Sequence, residues 1–312
     1  MYLAHFGLGQ LPFGLTPNTG FFFGLEPHVE ALEVLQVALE SGEGFIKVTG
    51  EVGTGKTLVC RKLLNSLPKQ YQSAYLPNPY LTPDELRWAL ACELGLKCQT
   101  GLDQRQLTFW ITKRLLSLSL QGQQVVLVVD EAQALPDDSL EALRLLTNLE
   151  SEQRKLIQLV LFGQPELDER LQTHQFRQLR QRISFSYCLR PLEWDEVQAY
   201  INHRLAIAGY QGADLFSVKD IKTLTQAARG IPRLINILAH KSLLLCYSQG
   251  EANVLSRHCI AAIADTQDTQ DTQLPLRGSN LGNSTVGWRI GLVVALLMGC
   301  ALVSAQAWGY WL

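Results

Sequence analysis

The chain has 312 residues, enough for one large domain, a second smaller one and a substantial buried core. Its 27 Lys and Arg residues nearly balance 29 Asp and Glu residues, and the resulting net charge of -2 argues against a protein that binds nucleic acid through a strongly basic surface. Its seven cysteines are scattered without a C-x-x-C pair, so neither a zinc site nor a disulfide framework is indicated.

The first two thirds of the chain are predicted to alternate strands and helices. Residues 1–26 are irregular and rich in Phe, Gly and Pro, and residues 27–41 have the apolar spacing of an amphipathic helix. Strands are predicted at residues 45–49, 73–76, 125–129, 157–162 and 183–188, and those at 125–129 and 157–162 are expected to be buried. Helices are predicted from Thr82 to about Gly95, from Gln104 to Leu120, and from Asp137 or Asp138 to about Leu149. This alternation over residues 27–191 predicts an α/β domain with a parallel sheet and helices on both faces.

The pattern becomes wholly helical after Pro191. Helices are predicted at residues 193–208, 218–229, 231–247 and 256–264, so residues 192–265 should form a small all-α domain. An Asp-Thr-Gln triplet then occurs three times in succession, and the polar composition continues to residue 288. Since such a composition cannot bury a core, residues 266–288 are predicted to be a flexible linker.

The end of the chain has the composition of a membrane span. Residues 290–312 carry no charge, and about 20 apolar residues suffice to cross a bilayer as a helix. Arg277 and Arg289 precede this segment, and aromatic residues lie near its end. The asymmetry predicts a single transmembrane helix over residues 289–312, with the body of the protein in the cytoplasm. A buried core helix is the alternative.

Residues 50–57 read GEVGTGKT and stand between an apolar strand and a helical pattern. This is the phosphate-binding loop of nucleoside triphosphatases in its proper strand–loop–helix context. Lys56 is placed to reach the β- and γ-phosphates of ATP, and the Thr57 hydroxyl to bind Mg²⁺. The predicted nucleotide-binding residues are Gly50, Glu51, Val52, Gly53, Thr54, Gly55, Lys56, Thr57 and Leu58.

Two carboxylates follow the strand at residues 125–129. Asp130 and Glu131 come directly after five apolar residues, so they should stand at the carboxyl end of a strand in the middle of the sheet. We expect Asp130 to order the Mg²⁺ shell and Glu131 to position or deprotonate the attacking water. The alternative is a solvated acidic pair at a strand end.

Several polar residues further along the chain are candidates for contacts with the γ-phosphate. Gln164 follows the next buried strand, where it is either such a contact or an ordinary polar residue at a strand end. Arg177, Arg180 and Arg182 precede the last strand, and one of them is a candidate arginine finger that reaches the nucleotide of a neighbouring subunit. Arg182 is the preferred candidate. Arg233 stands beside the predicted start of a helix in the all-α part, from which it would touch the γ-phosphate and couple hydrolysis to rotation of a lid.

Together these motifs resemble the AAA+ ATPases (P-loop NTPases of the ASCE group), and within them the secretion-pathway A type (ExeA/GspA). The resemblance covers about residues 2–265 and rests on the ordered motifs HFGL, PF, TP, FFFG, GEVGTGKT, VVLVVDEAQ, LVLFGQPEL, LRQRI and GIPRLIN. It implies that Gln164 is the sensor-1 residue and Arg233 the sensor-2 residue. It also implies that His28 and the aromatic N-terminal segment frame the adenine of ATP.

The function expected from these observations is Mg²⁺-dependent ATP hydrolysis by a homo-oligomer tethered to the bacterial inner membrane. The resemblance implies that this hydrolysis drives assembly or remodelling of a pilus of the MSHA type IV kind or of a secretion apparatus, with membrane proteins of that machinery as partners. Longer members of this type continue into a peptidoglycan-binding region, which is not expected here because the chain ends at Leu312. The alternatives are a DNA-associated ATPase related to transposition helper proteins and an interaction scaffold switched by ATP.

Overall fold

Five parallel strands form the sheet of the protein. They are β1 (Phe45–Gly50), β2 (Tyr71–Leu76), β3 (Gln124–Val129), β4 (Ile157–Gly163) and β5 (Phe185–Leu189). Their order across the sheet is β2-β3-β4-β1-β5, and every neighbouring pair is parallel. Because β4 lies between β1 and β3, the loops that follow these three strands meet at one edge of the sheet. The predicted parallel sheet is confirmed, although the last strand begins two residues later than predicted and includes Leu189.

The computed structural model describes residues 2–77, 79–97, 102–150 and 155–266. Within these ranges no helix combines the length and the apolar character needed to cross a membrane. The predicted transmembrane helix at residues 289–312 lies outside the described residues, as does the predicted linker beyond Thr266.

Eleven helices are described in these ranges. They are α1 (Glu26–Glu40), α2 (Lys56–Ser66), α3 (Pro83–Glu93), α4 (Gln104–Leu120), α5 (Asp137–Leu146), α6 (Pro165–Gln172), α7 (Arg177–Arg180), α8 (Trp194–Ile207), α9 (Val218–Ala228), α10 (Pro232–Ser248) and α11 (Ser256–Ala264). The sequence pattern does not predict α6 and α7, because eight and four residues are too few to show a helical period.

The predicted start and end of α5 are wrong. Neither Asp137 nor Asp138 caps this helix, whose N-cap is Pro136 without a side-chain hydrogen bond, and the helix ends at Leu146. Asp137 is the first helical residue, and its carboxylate forms an ion pair with Arg170 on α6. A partner distant in sequence therefore takes the oxygen that a local cap would have used.

The apolar strands are buried on both faces, as a parallel sheet requires. Val125 and Leu127 of β3 pack into a core with α3, α4, α5 and α6. Val126 and Val128 point to the opposite face and pack with α1 and α2. Each aliphatic side chain buried in this way contributes about 1.5–3 kcal/mol of stability, so the two layers fix the position of the strand ends.

The N-terminal segment packs on the helices that follow β5. The Gly9 N–H donates to the carbonyl oxygen of Ala208 at 2.7 Å, and the Arg204 guanidinium on α8 donates to the carbonyl oxygens of Pro12 and Gly14. The ring of Phe23 stacks on His203 with 4.5 Å between centroids. These contacts hold the N-terminal segment on the helices between its start and the phosphate-binding loop, next to which α1 begins.

Candidate active site

Most of the residues predicted to carry the chemistry meet where β1, β3 and β4 end. They line a cavity of about 210 Å³ between the glycine-rich loop, the N-terminal segment and the helices α8 and α10. Its lining includes His28, Val52, Gly53, Gly55, Lys56, Thr57, Leu58, Glu131, Gln164 and Arg233. Asp130 is joined to this set through its hydrogen bond to Thr57.

Glycine is required in the loop for two separate reasons. Gly53 and Gly55 have φ angles of +86° and +102°, a region that residues with side chains rarely adopt. A Cβ atom on Gly53 would also lie 2.6 Å from the Cβ of Arg233, and one on Gly55 would lie 2.8 Å from Nε2 of His28. The loop is therefore in close contact with both α10 and α1.

Lys56 is buried inside the loop that it belongs to. Its Nζ donates to the carbonyl oxygens of Gly50 and Glu51 at 2.7 and 2.9 Å, and the residue is 5% exposed. Burial lowers the pKa of Lys56, and the carboxylates of Glu131 and Asp130 oppose that effect. To bind a phosphate, the ammonium group has to exchange loop carbonyl oxygens for phosphate oxygens.

Thr57 and Asp130 present two oxygen atoms side by side. The Thr57 hydroxyl donates to Oδ2 of Asp130 at 2.9 Å, and the other carboxylate oxygen accepts the Glu131 N–H at 2.9 Å. Asp130 is 3% exposed, and burial raises its pKa. A nearby cation would stabilise the ionised carboxylate, which burial disfavours. The pair fits Mg²⁺, which takes one or two protein oxygens together with phosphate oxygens and water. The described residues hold no group of three or more His, Cys, Asp or Glu side chains that could bind a metal ion.

Glu131 is held by two side-chain amides. Its Oε2 atom accepts hydrogen bonds from Nε2 of Gln133 at 2.6 Å and from Nε2 of Gln164 at 3.0 Å. Its backbone is left-handed, with a φ of +52°, which is rare for a residue with a side chain and costs about 1–3 kcal/mol. This conformation turns the chain from β3 into the 3-10 turn Ala132–Ala134 and fixes the direction of the carboxylate.

Gln133 and Arg170 belong to this site and are missed by sequence reasoning. Oε1 of Gln133 accepts the backbone N–H of Gln164 at 3.0 Å, and Arg170 donates to the carbonyl oxygen of Gln133 at 2.7 Å. The sequence shows Gln133 two residues after Glu131 but carries no signal for its direction. Arg170 lies on α6, which the pattern does not predict.

Arg204 is a third residue of the site that the sequence analysis misses. It is 8% exposed, lines the cavity from α8, donates to the Tyr200 hydroxyl at 2.8 Å and lies 4.8 Å above the ring of Phe21. The Tyr200 hydroxyl in turn hydrogen-bonds Asn236 of α10. This buried polar group joins the N-terminal segment to two helices at the edge of the cavity.

His28 lies against the phosphate-binding loop. Its Nε2 is 2.8 Å from the carbonyl oxygen of Thr54, so this nitrogen carries the hydrogen and donates. Nδ1 is buried and has no hydrogen-bond partner among the described residues. Burial lowers the pKa of His28, and its bond to Thr54 opposes that effect. The implied contact with adenine stays a prediction.

We expect His28→Asn to weaken the pH dependence of stability between about pH 7 and 5. Because the pKa of His28 is lower in the folded protein than its ordinary value of 6.5, the unfolded chain takes up this proton first, and stability falls as the pH drops through that value. Urea unfolding at several pH values measures the slope. His203, His240 and His258 also have lowered pKa values, so part of the slope should remain. The control is His174→Asn, at an exposed position. An unchanged slope in His28→Asn contradicts the expectation.

Arg233 lies where α10 approaches the loop. Its backbone N–H donates to the carbonyl oxygen of Gly53 at 3.2 Å, and its exposed side chain lines the cavity. This places the arginine at the phosphate-binding end of the site. The contact also links the loop directly to the helical part of the protein.

The three arginines before β5 do not line the cavity. Arg182 is half-buried and lies 3.4 Å from the Thr147 hydroxyl, whereas Arg177 and Arg180 are exposed on α7. A finger acts on the site of another subunit, so a position away from its own site is required of it. The choice of Arg182 stays a prediction.

Strands β1–β4 and the glycine-rich loop lie in a segment that is similar to AAA domains. Residues 39–171 match the family model described as an AAA domain. Over 310 residues, which include that domain, the chain is 39% identical to general secretion pathway protein A of Aeromonas hydrophila. The alignment covers 99% of this chain and 54% of that protein, so the chain spans about half the length of this relative.

Solved structures share the fold at low sequence identity. Cdc6p from Pyrobaculum aerophilum superposes with a TM-score of 0.58 at 19% identity, over 75% of this chain and 67% of that one. A Walker-type ATPase of Pyrococcus abyssi superposes with a TM-score of 0.54 at 14% identity, over 95% of this chain and 81% of that one. At these identities the likeness concerns the fold alone.

Proposed function

We propose that the chain is a membrane-tethered ATPase that uses Mg²⁺-dependent ATP hydrolysis to assemble or remodel a pilus or a secretion apparatus. One observation supports hydrolysis. Glu131, held by two side-chain amides, lines the same cavity as Lys56 and Thr57, and Asp130 accepts a hydrogen bond from Thr57. A phosphate-binding loop alone would support binding. A positioned carboxylate beside it supports the attack of water on the γ-phosphate.

In this proposal each side chain has one task. Lys56 moves from the carbonyl oxygens of its loop to the β- and γ-phosphates, and Thr57 and Asp130 hold the Mg²⁺ shell. The metal, when bound, neutralises charge on the phosphate oxygens. Glu131 orients the water and accepts its proton as the water oxygen bonds to the γ-phosphorus. The bond from that phosphorus to the bridging oxygen breaks, and ADP and phosphate are released.

The helical part contacts the site directly, since the Arg233 N–H donates to the carbonyl oxygen of Gly53 and the Arg233 side chain lines the cavity. The cavity of about 210 Å³ adjoins a second one of about 620 Å³, with which it shares Phe21 and Arg204. In this proposal α10 moves relative to the loop during the ATPase cycle. With the Arg233 side chain on the γ-phosphate and Gln164 on the phosphate or the water, hydrolysis would change the position of the helical part.

The membrane and partner assignments have separate support. The uncharged segment at residues 290–312, preceded by arginines, supports a single pass through the bacterial inner membrane with the ATPase on the cytoplasmic side. The identity to general secretion pathway protein A supports a role in secretion. The narrower inference, from motif likeness, is an ATPase like the MSHA pilus biogenesis protein MshM. A homo-oligomer would let Arg182 act in the neighbouring site. DNA binding is not favoured, since the structural neighbours share only the fold.

The test uses the full chain purified from detergent-solubilised membranes. We expect ATP turnover that EDTA abolishes, retention in the membrane fraction after alkaline carbonate, and co-purification of pilus or secretion membrane proteins. Light scattering should show an oligomer. Absence of turnover with Mg²⁺ present would reject the enzyme, whereas release by carbonate would reject only the tether.

A further inference from the structure

We propose that Gln133 is a positioning residue for hydrolysis, which fixes the carboxylate of Glu131 relative to Gln164. This inference rests on the proposed ATPase function. Gln133 follows β3 in the turn Ala132–Ala134, and Gln164 follows the neighbouring strand β4. The side chain of Gln133 therefore bridges the ends of two adjacent strands of the sheet.

Both ends of the Gln133 amide are used. Its Nε2 donates to Oε2 of Glu131 at 2.6 Å, and its Oε1 accepts the backbone N–H of Gln164 at 3.0 Å. A side chain that donates and accepts at the same time has one orientation of its amide. Through Gln133, the carboxylate of Glu131 is hydrogen-bonded to the backbone at the end of β4, a buried strand that cannot shift easily.

The turn that carries Gln133 is itself anchored. Arg170 of α6 donates to the carbonyl oxygens of Gln133 and Leu135 at 2.7 and 2.9 Å, and its guanidinium pairs with Asp137. One arginine thus holds the middle of the turn and the residue that follows it. The left-handed backbone of Glu131 stands directly before this turn, so the direction of its side chain depends on the turn.

The hydrogen bonds leave one oxygen of Glu131 for chemistry. Both amides bind Oε2, and no described residue donates to Oε1. Oε1 is then the atom that takes the proton of the attacking water. If Gln164 turns to the γ-phosphate during turnover, Gln133 alone keeps Oε2 in place. This division explains why two amides meet one carboxylate oxygen.

We expect Gln133→Met to lower kcat about 10- to 100-fold and to leave the Kd of ATP within about 3-fold, because a displacement near 1 Å at a catalytic group has effects of this order. Gln133→Asn keeps the amide on a shorter side chain that cannot reach both partners, and the same loss is expected. The control is Gln175→Met, an exposed glutamine in the 3-10 turn His174–Phe176. Thermal unfolding of each variant checks that it folds.

A double-mutant cycle separates positioning from a general structural role. In a Glu131→Gln background, Gln133→Met should not lower the residual turnover further, because Gln133 acts through Glu131. Equal loss in both backgrounds, or unchanged kcat in both single variants, overturns the proposal. A wild-type chain without turnover would instead reject the proposed function and this role together, so the two failures are distinguishable.

Discussion

Replacing Glu131 with Gln should reduce steady-state ATP hydrolysis to a small residual rate while ATP still binds. The substitution keeps the size of the side chain and its hydrogen bonds to Gln133 and Gln164, but it removes the group that accepts the proton of the attacking water. A positioned general base contributes about 10²- to 10⁴-fold, and a loss of this order in kcat is expected. Phosphate release measures turnover, and titration with a fluorescent ATP analogue measures binding.

Glu169→Gln is the matched control for this experiment. Glu169 is an exposed carboxylate on α6, and it does not line the cavity. Its replacement should leave kcat and the Kd of ATP unchanged. Wild-type turnover in Glu131→Gln would remove Glu131 from the catalytic role.

Lys56→Ala should strongly weaken the binding of ATP. The ammonium group is a buried cation at the cavity, and burial lowers its pKa because it disfavours the charged form. A bound phosphate would stabilise that charge. A hydrogen bond to a charged group is worth about 1.5–3 kcal/mol, so the loss of Lys56 alone should weaken ATP binding by about 10- to 100-fold. Isothermal titration calorimetry with ATP and Mg²⁺ measures the difference.

The control for Lys56→Ala is Lys69→Ala, which removes an exposed lysine after α2. It should bind ATP as the wild type does. Wild-type affinity in Lys56→Ala would mean that the loop does not hold the phosphates. The two substitutions also differ in kind: Lys56→Ala should fail in binding and Glu131→Gln only in turnover.

Features that depend on neighbouring residues could be predicted from the sequence. The capping box before α3, with Thr82 and Glu85, is present in the structure with both of its hydrogen bonds. The apolar run before Asp130 forms a buried strand. The glycines of the loop have the positive φ angles that their spacing requires. In each case the physical cause acts over a few residues, so the pattern alone is sufficient.

The order of the strands could not be predicted in the same way. Alternating strands and helices predict parallel pairing, yet only packing determines that β4 lies between β1 and β3. That order brings Gln164 to within 3.0 Å of Glu131, 33 residues earlier in the chain. The sequence placed both residues at strand ends but left open whether they touch.

The amino-acid sequence predicts the phosphate-binding loop, the carboxylates after β3 and the parallel sheet that carries them. Three further contacts of the site arise only when the chain packs: Gln133 joins Glu131 to Gln164, Arg170 anchors their turn, and Arg204 binds the N-terminal segment beside the cavity. These residues have partners 31 to 192 positions away, apart from the short link between Gln133 and Glu131. A hydrogen bond over such a separation exists only once the core has fixed both ends in space, so no local pattern can show it.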